Sequence, residues 1–100
     1  MPDATTDLFP LGEVVATPAA LTAIRAAGQS PFELLARHRR GDWGDLDAED
    51  KRLNDEAVKD GSRILSAYAL RTGTKVWVIT EAAGDDGRRA STCALMPDEY

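Results

Sequence analysis

The stretch RHRRGDWGDLDAED, residues 37–50, gathers much of the reactive and charged chemistry of this 100-residue chain. Arg37, Arg39 and Arg40 surround the only histidine, His38, and a glycine-bracketed Trp43 and a run of carboxylates follow. Guanidinium groups so placed could grip a phosphate or a carboxylate through paired N–H donors, with the indole as a stacking platform. The pairs Asp42/Asp45 and Asp85/Asp86 could each hold a divalent ion. Each group also has a local reading. Cations in the last turn of a helix complement its dipole, and aspartates in turns accept bonds from backbone amides. On that reading Arg37–Arg40 close one helix, Gly41–Gly44 connect, and Asp47 opens the next. Asp42 or Asp45 then takes local amide bonds, and Trp43 packs over the junction.

Catalytic grammar is sparse. A lone histidine at a basic helix end is expected to stabilise the dipole. Cys93 is the only cysteine, so no internal disulfide can form and a cysteine-based metal site is excluded. In a strand its thiol is expected to be buried and inert. There is no GxSxG elbow and no glycine-rich phosphate loop. The expectation is a non-enzyme with no catalytic residue, no cofactor and no metal. Single-cysteine usage suits a reducing cytoplasm, and MPDATTDLFP lacks the apolar run of a leader.

The elements that must position these residues follow from punctuation and period. Residues 9–16, FPLGEVVA, suggest a short strand weakened by Pro10 and Gly12. Thr17, Pro18 and Gly28 bracket a first helix. Ser30 and Glu33 have capping-box spacing for a second helix that stops at Gly41. A third begins at Asp47 and runs to about Asp60, with Leu53, Ala57 and Leu46 as its apolar stripe. From Ser62 the period changes. SRILSAYAL and KVWVITEAA flank RTGT as a hairpin, and STCALM supplies a third strand. The expected fold is α+β: three short helices, then a three-stranded antiparallel meander, joined by the short N-terminal strand. Residues 1–8 are expected to fray, 9–97 to form one domain and 98–100 to be a tail.

A two-residue turn at Thr72-Gly73 predicts that Tyr68 pairs with Trp77, Ala67 with Val78 and Ser66 with Ile79. One sheet face would then carry Tyr68, Trp77 and Ile79, covered by Phe9 and Leu11 or left as an association patch for a homo-oligomer.

Charge narrows the classes of partner. Hydrophobic residues make up 43% of the chain and charged residues 29%, an ordinary globular balance. Residues 42–60 hold eight acids and three bases, so they account for the whole net charge of −5. That balance argues against anionic membrane and against direct nucleic-acid binding. It favours a basic protein surface, met by Asp42, Trp43, Asp45, Asp55 and Glu56. The alternatives are a small regulator contacting nucleic acid through Arg37, Arg39 and Arg40, and a small-ligand site at Trp43.

Four stretches taken together, LFPLGEVVATPAAL, ARHRRGDWGDLDAED, LSAYALRTGTKVWVITEA and LMPDEY, cover most of the chain. They resemble a family of small uncharacterised bacterial proteins met on plasmids and other mobile elements, labelled plasmid-related proteins. The segment GDDGRRAST departs from that pattern, in which a shorter turn follows the central strand. The resemblance implies accessory genes as genomic company and carries no catalytic residues across. With it, the expected function is a non-enzymatic interaction protein. The reading is an anti-CRISPR or anti-restriction inhibitor that blocks a nucleic-acid-handling defence complex through its acidic surface.

Overall fold

The computed structural model describes residues 7–100, so most of the stretch expected to fray lies outside the described residues. Three helices precede most of a four-stranded sheet. The order is β1 (Glu13–Ala16), α1 (Pro18–Ala26), α2 (Pro31–Arg39), α3 (Ala48–Asp60), β2 (Ile64–Ala69), β3 (Lys75–Thr80) and β4 (Ser91–Leu95). β2, β3 and β4 form the antiparallel meander, and β1 adds to β4 in parallel, giving the spatial order β1-β4-β3-β2.

The helix starts follow local side-chain chemistry. Thr17 accepts from the Ala20 amide, Ser30 and Glu33 complete a capping box, and Asp47 accepts from the Asp50 amide. Each bond satisfies an amide that the first turn would otherwise leave open, contributing about 1 kcal/mol. α3 departs from its expected stripe. Asn54 and Ala57 face inward, while Leu53 is 49% exposed. Asn54 takes the core-facing position because its amide pairs with backbone. Its Nδ2 donates to the Leu65 carbonyl (2.7 Å) and its Oδ1 accepts from the Leu65 amide (3.2 Å).

The hairpin register also differs from expectation. Tyr68 lies opposite Val76, Ala67 opposite Trp77 and Ser66 opposite Val78. The Leu70 amide bonds to the Thr74 carbonyl and the Gly73 amide to the Leu70 carbonyl, so the loop has three residues, with Gly73 at φ 92°. A turn followed by a left-handed glycine is a standard three-residue hairpin loop. The slip of one residue exchanges the two faces of β3. Tyr68 therefore shares the helix-covered face with Val76 and Val78 and is fully buried, while Trp77 and Ile79 point to the other side. The association patch of Tyr68, Trp77 and Ile79 is not formed.

Two clusters fill the space between helices and sheet. One is largely aliphatic, with Ala20, Ile24, Leu34 and Leu35 against Tyr68, Val76, Val78 and Ala94. The other is aromatic, with Phe9, Trp43, Ala57 and Ile64. Phe9 and Leu11 pack on this side rather than on the opposite face. The expected tail is a 3-10 turn at Pro97–Glu99, held by bonds from the Thr17 hydroxyl (2.6 Å) and the Met96 amide (2.8 Å) to Glu99. Beyond it the Tyr100 ring meets Trp77 edge-on at 5.6 Å.

The outer edges of the sheet are treated differently. The β2 edge is closed by Asn54 and by the Trp43–Asp45 segment, where the Ala67 amide reaches the Trp43 carbonyl and the Asp45 amide the Ala67 carbonyl. Gly44 permits that approach, since a Cβ there would collide with the Ala67 carbonyl. β1 forms the other edge, with Val14 and Val15 nearly half exposed. No helix among the described residues is long and apolar enough to cross a membrane.

Candidate functional site

The quoted stretch resolves into a buried half and a solvent-facing half. Trp43 is 3% exposed. Its ring stacks on Phe9 at 6.1 Å and meets His38 edge-on at 5.9 Å, and its Nε1 donates to Asp55 Oδ1 at 2.9 Å. Neither a stacking platform nor a small-ligand site can be built on a side chain so enclosed. Asp42 makes the expected turn bond, accepting from the Gly44 amide at 3.2 Å.

His38 is the larger correction, being fully buried and uncharged rather than a cation at a helix end. Burial, with the Arg89 charge nearby, lowers its pKa to about 3. Nδ1 lies 2.6 Å from Ser66 Oγ and Nε2 lies 2.9 Å from Thr80 Oγ1, which lies 2.7 Å from Thr92 Oγ1. Thr92 in turn donates to the Leu11 carbonyl at 2.7 Å. A carbonyl only accepts, so each donor upstream is assigned in turn. Thr92 receives the Thr80 hydroxyl proton, Thr80 receives Nε2–H, and Nδ1 accepts from Ser66. The ring is thus the neutral Nε2–H tautomer. No buried side-chain nitrogen or oxygen among the described residues lacks a partner.

Arg89, which sequence reasoning passed over, is 6% exposed. It donates to the carbonyls of Ser62 (2.8 Å), Ala57 (3.0 Å) and Glu81 (3.1 Å), with its guanidinium 5.5 Å from the Phe9 ring centre. It closes the carbonyl end of α3, where a cation is favoured. Burial lowers its pKa. Ser66, Thr80 and Thr92 carried one sequence signal, polar positions on a strand face that is otherwise apolar. Arg89 carried none, because its partners are distant in sequence.

The arginines proposed for nucleic acid do not form one free patch. Arg37 pairs with Asp42 through two bonds (2.7 and 3.3 Å) and lies over the Tyr68 ring at 4.5 Å. That pair lowers the Asp42 pKa and raises that of Arg37. Arg39 pairs with Asp7 at 3.2 Å, and Arg40 is exposed.

All eight acids of residues 42–60 are exposed, though their duties differ. Asp55 anchors the indole, and Asp45 pairs with Lys75 at 2.7 Å, which lowers its pKa. Glu49 and Glu56 share Arg52. Asp47 caps α3 and Asp60 accepts from the Ser62 amide. Asp50 makes no ion pair among the described residues and lines a groove with Leu46, Leu53, Asn54, Arg63 and Leu65. Cys93 is half-buried, with its pKa raised by burial and by Glu99 and Glu81. Among the described residues no three histidine, cysteine or carboxylate side chains converge as a metal site would require.

Comparison with protein-family models, with curated proteins and with solved structures returned no match.

Proposed function

We propose that this protein is a non-enzymatic interaction module whose acidic face, α3 and the loop leading into it, meets a basic surface on another protein. The carrying observation is that residues 42–60 account for the entire net charge and that every acidic side chain among them faces solvent. Such a face raises the encounter rate with a cationic partner and disfavours phosphate backbones. Following the resemblance to proteins of mobile elements, the partner we propose is a nucleic-acid-handling defence complex. The protein would act there as an anti-CRISPR or anti-restriction inhibitor.

The test is binding of charge-reversed variants to a partner recovered from host lysate and to generic duplex DNA, at low and high salt. Asp55 is unsuitable for reversal because it holds Trp43, so the acidic variant is Glu49→Lys with Glu56→Lys. It should associate with the partner at least tenfold more slowly, with the difference shrinking as salt rises. Unchanged partner binding, together with DNA binding that Arg39→Glu and Arg40→Glu remove, would establish the regulator reading instead.

A further inference from the structure

The groove beside Asp50 is an incomplete piece of core. Leu46 and Leu65 are half-buried in its walls, and Leu53, at the position where the apolar pattern of α3 called for core, is 49% exposed. The amide group of Asn54 is held on both sides by the Leu65 backbone, which takes one of its donors and one of its acceptor sites. On one side Arg63 is drawn over the Tyr100 ring at 5.1 Å. On the other stands Asp50, and α3 adds Glu49 and Glu56 nearby. The volume is about 270 Å³, slightly below the roughly 300–1,000 Å³ of small-molecule sites and suited to one or two aliphatic side chains.

We propose that this groove receives a leucine-like side chain from a basic amphipathic segment of the partner, whose flanking lysine or arginine pairs with Asp50. The proposal rests on the acidic-face reading and adds the anchor point. An apolar centre with a charged rim is the usual anatomy of a protein interface. A second copy fits less well. Contact across a two-fold axis through the groove would bring the Glu49, Asp50 and Glu56 set of one chain towards the same set of the other, and each chain carries −5.

The probe is a synthetic 14-residue peptide of leucine and lysine with its leucines on one helical face. The control peptide replaces leucine with glutamine at equal charge. Binding is read by calorimetry and by methyl and amide shifts on the intact protein. The leucine peptide should bind at least tenfold more tightly than the control, with the largest shifts at Leu46, Leu53 and Leu65. Leu53→Glu should erase that preference, and Asp50→Lys should weaken both peptides. Leu46→Gln serves as a second groove variant, with helical content checked for each.

Equal binding of both peptides through α3 would overturn the groove while leaving the acidic face standing. Binding of neither would overturn both. An unaltered preference in folded Leu53→Glu and Leu46→Gln would place the apolar contact elsewhere. A concentration-dependent dimer abolished by Leu53→Glu would put a second copy in the groove and overturn the basic-partner assignment.

Discussion

The two clusters beneath the helices are built on different principles. The largely aliphatic one joins Ile24, Leu34 and Leu35 to Val76 and Val78, and its one polar tip is the Tyr68 hydroxyl, which donates to the Asp42 carbonyl at 2.7 Å. The aromatic one lies against a polar chain, from Ser66 through His38, Thr80 and Thr92 to the Leu11 carbonyl, with Arg89 beside Phe9. Aliphatic contacts tolerate volume-conserving exchange, because one methyl group replaces another at small cost. A closed hydrogen-bond chain does not, because removing one member strands its neighbours in a medium that cannot solvate them. The first region supplies stability, and the second adds a demand for one arrangement.

That contrast can be broken experimentally, and the largest effect should come from Trp43. Trp43→Ala empties an indole-sized space and strands the Asp55 contact, so denaturant unfolding should show a loss of about 3 kcal/mol or more. A loss below about 0.5 kcal/mol would mean the indole is not buried in solution. Next, Thr80→Val preserves shape but removes the acceptor of His38 and the donor to Thr92, at a cost of about 2 kcal/mol. Ile24→Val, in the aliphatic cluster, should cost about 1 kcal/mol. If the two costs are reversed, the polar chain is not the stricter of the two regions.

Acid should separate the clusters as well. The unfolded chain protonates His38 near the ordinary value of 6.5, whereas the folded chain does so only at about 3. The stabilisation from keeping the ring neutral is therefore complete above pH 6.5 and declines as pH falls toward 3. Linkage gives a loss of roughly 1.5 kcal/mol between pH 6.5 and 5. Being the only histidine, His38 should account for that slope, which Ile24→Val should keep and His38→Gln should flatten. The smallest contrast lies on α3. Asp55→Asn weakens the bond to Trp43 and should cost about 1 kcal/mol, whereas Glu56→Gln should change stability by less than about 0.5 kcal/mol. Equal values would remove Asp55 from the support of the indole.

What the sequence disclosed divides along the same line. Thr17, Ser30 and Asp47 announced the helix starts because capping is settled within four residues. The meander was legible from the change of period after Ser62. The register was not, since RTGT accommodates a two- or a three-residue loop and only the packing of Tyr68 under the helices decides between them. His38 was misread because its neighbours in sequence are cations, while its neighbours in space are hydroxyls on β2, β3 and β4. Leu53 and Asn54 were exchanged because Asn54 satisfies backbone on another element, which no helical period encodes. The acidic segment was plain in the sequence. The turn bond of Asp42 was expected, but the pairing of Asp42 with Arg37, of Asp45 with Lys75 and of Asp55 with the indole was not, and these duties reduce the number of carboxylates available to a partner.

The parallel pairing of β1 with β4 has a consequence for the order in which this chain can fold. Glu13–Ala16 is made well before Ser91–Leu95, its sheet neighbour among the described residues. β4 also lies between β1 and β3, so its arrival completes two strand pairings at once. Until then α1 and α2 can form from their own caps, but nothing holds β1 in place. Contacts that span so much of a chain come late and slowly. A nascent chain shortened before Ser91 would therefore lack both pairings. The fold would close only once Ser91–Leu95 is available to pair.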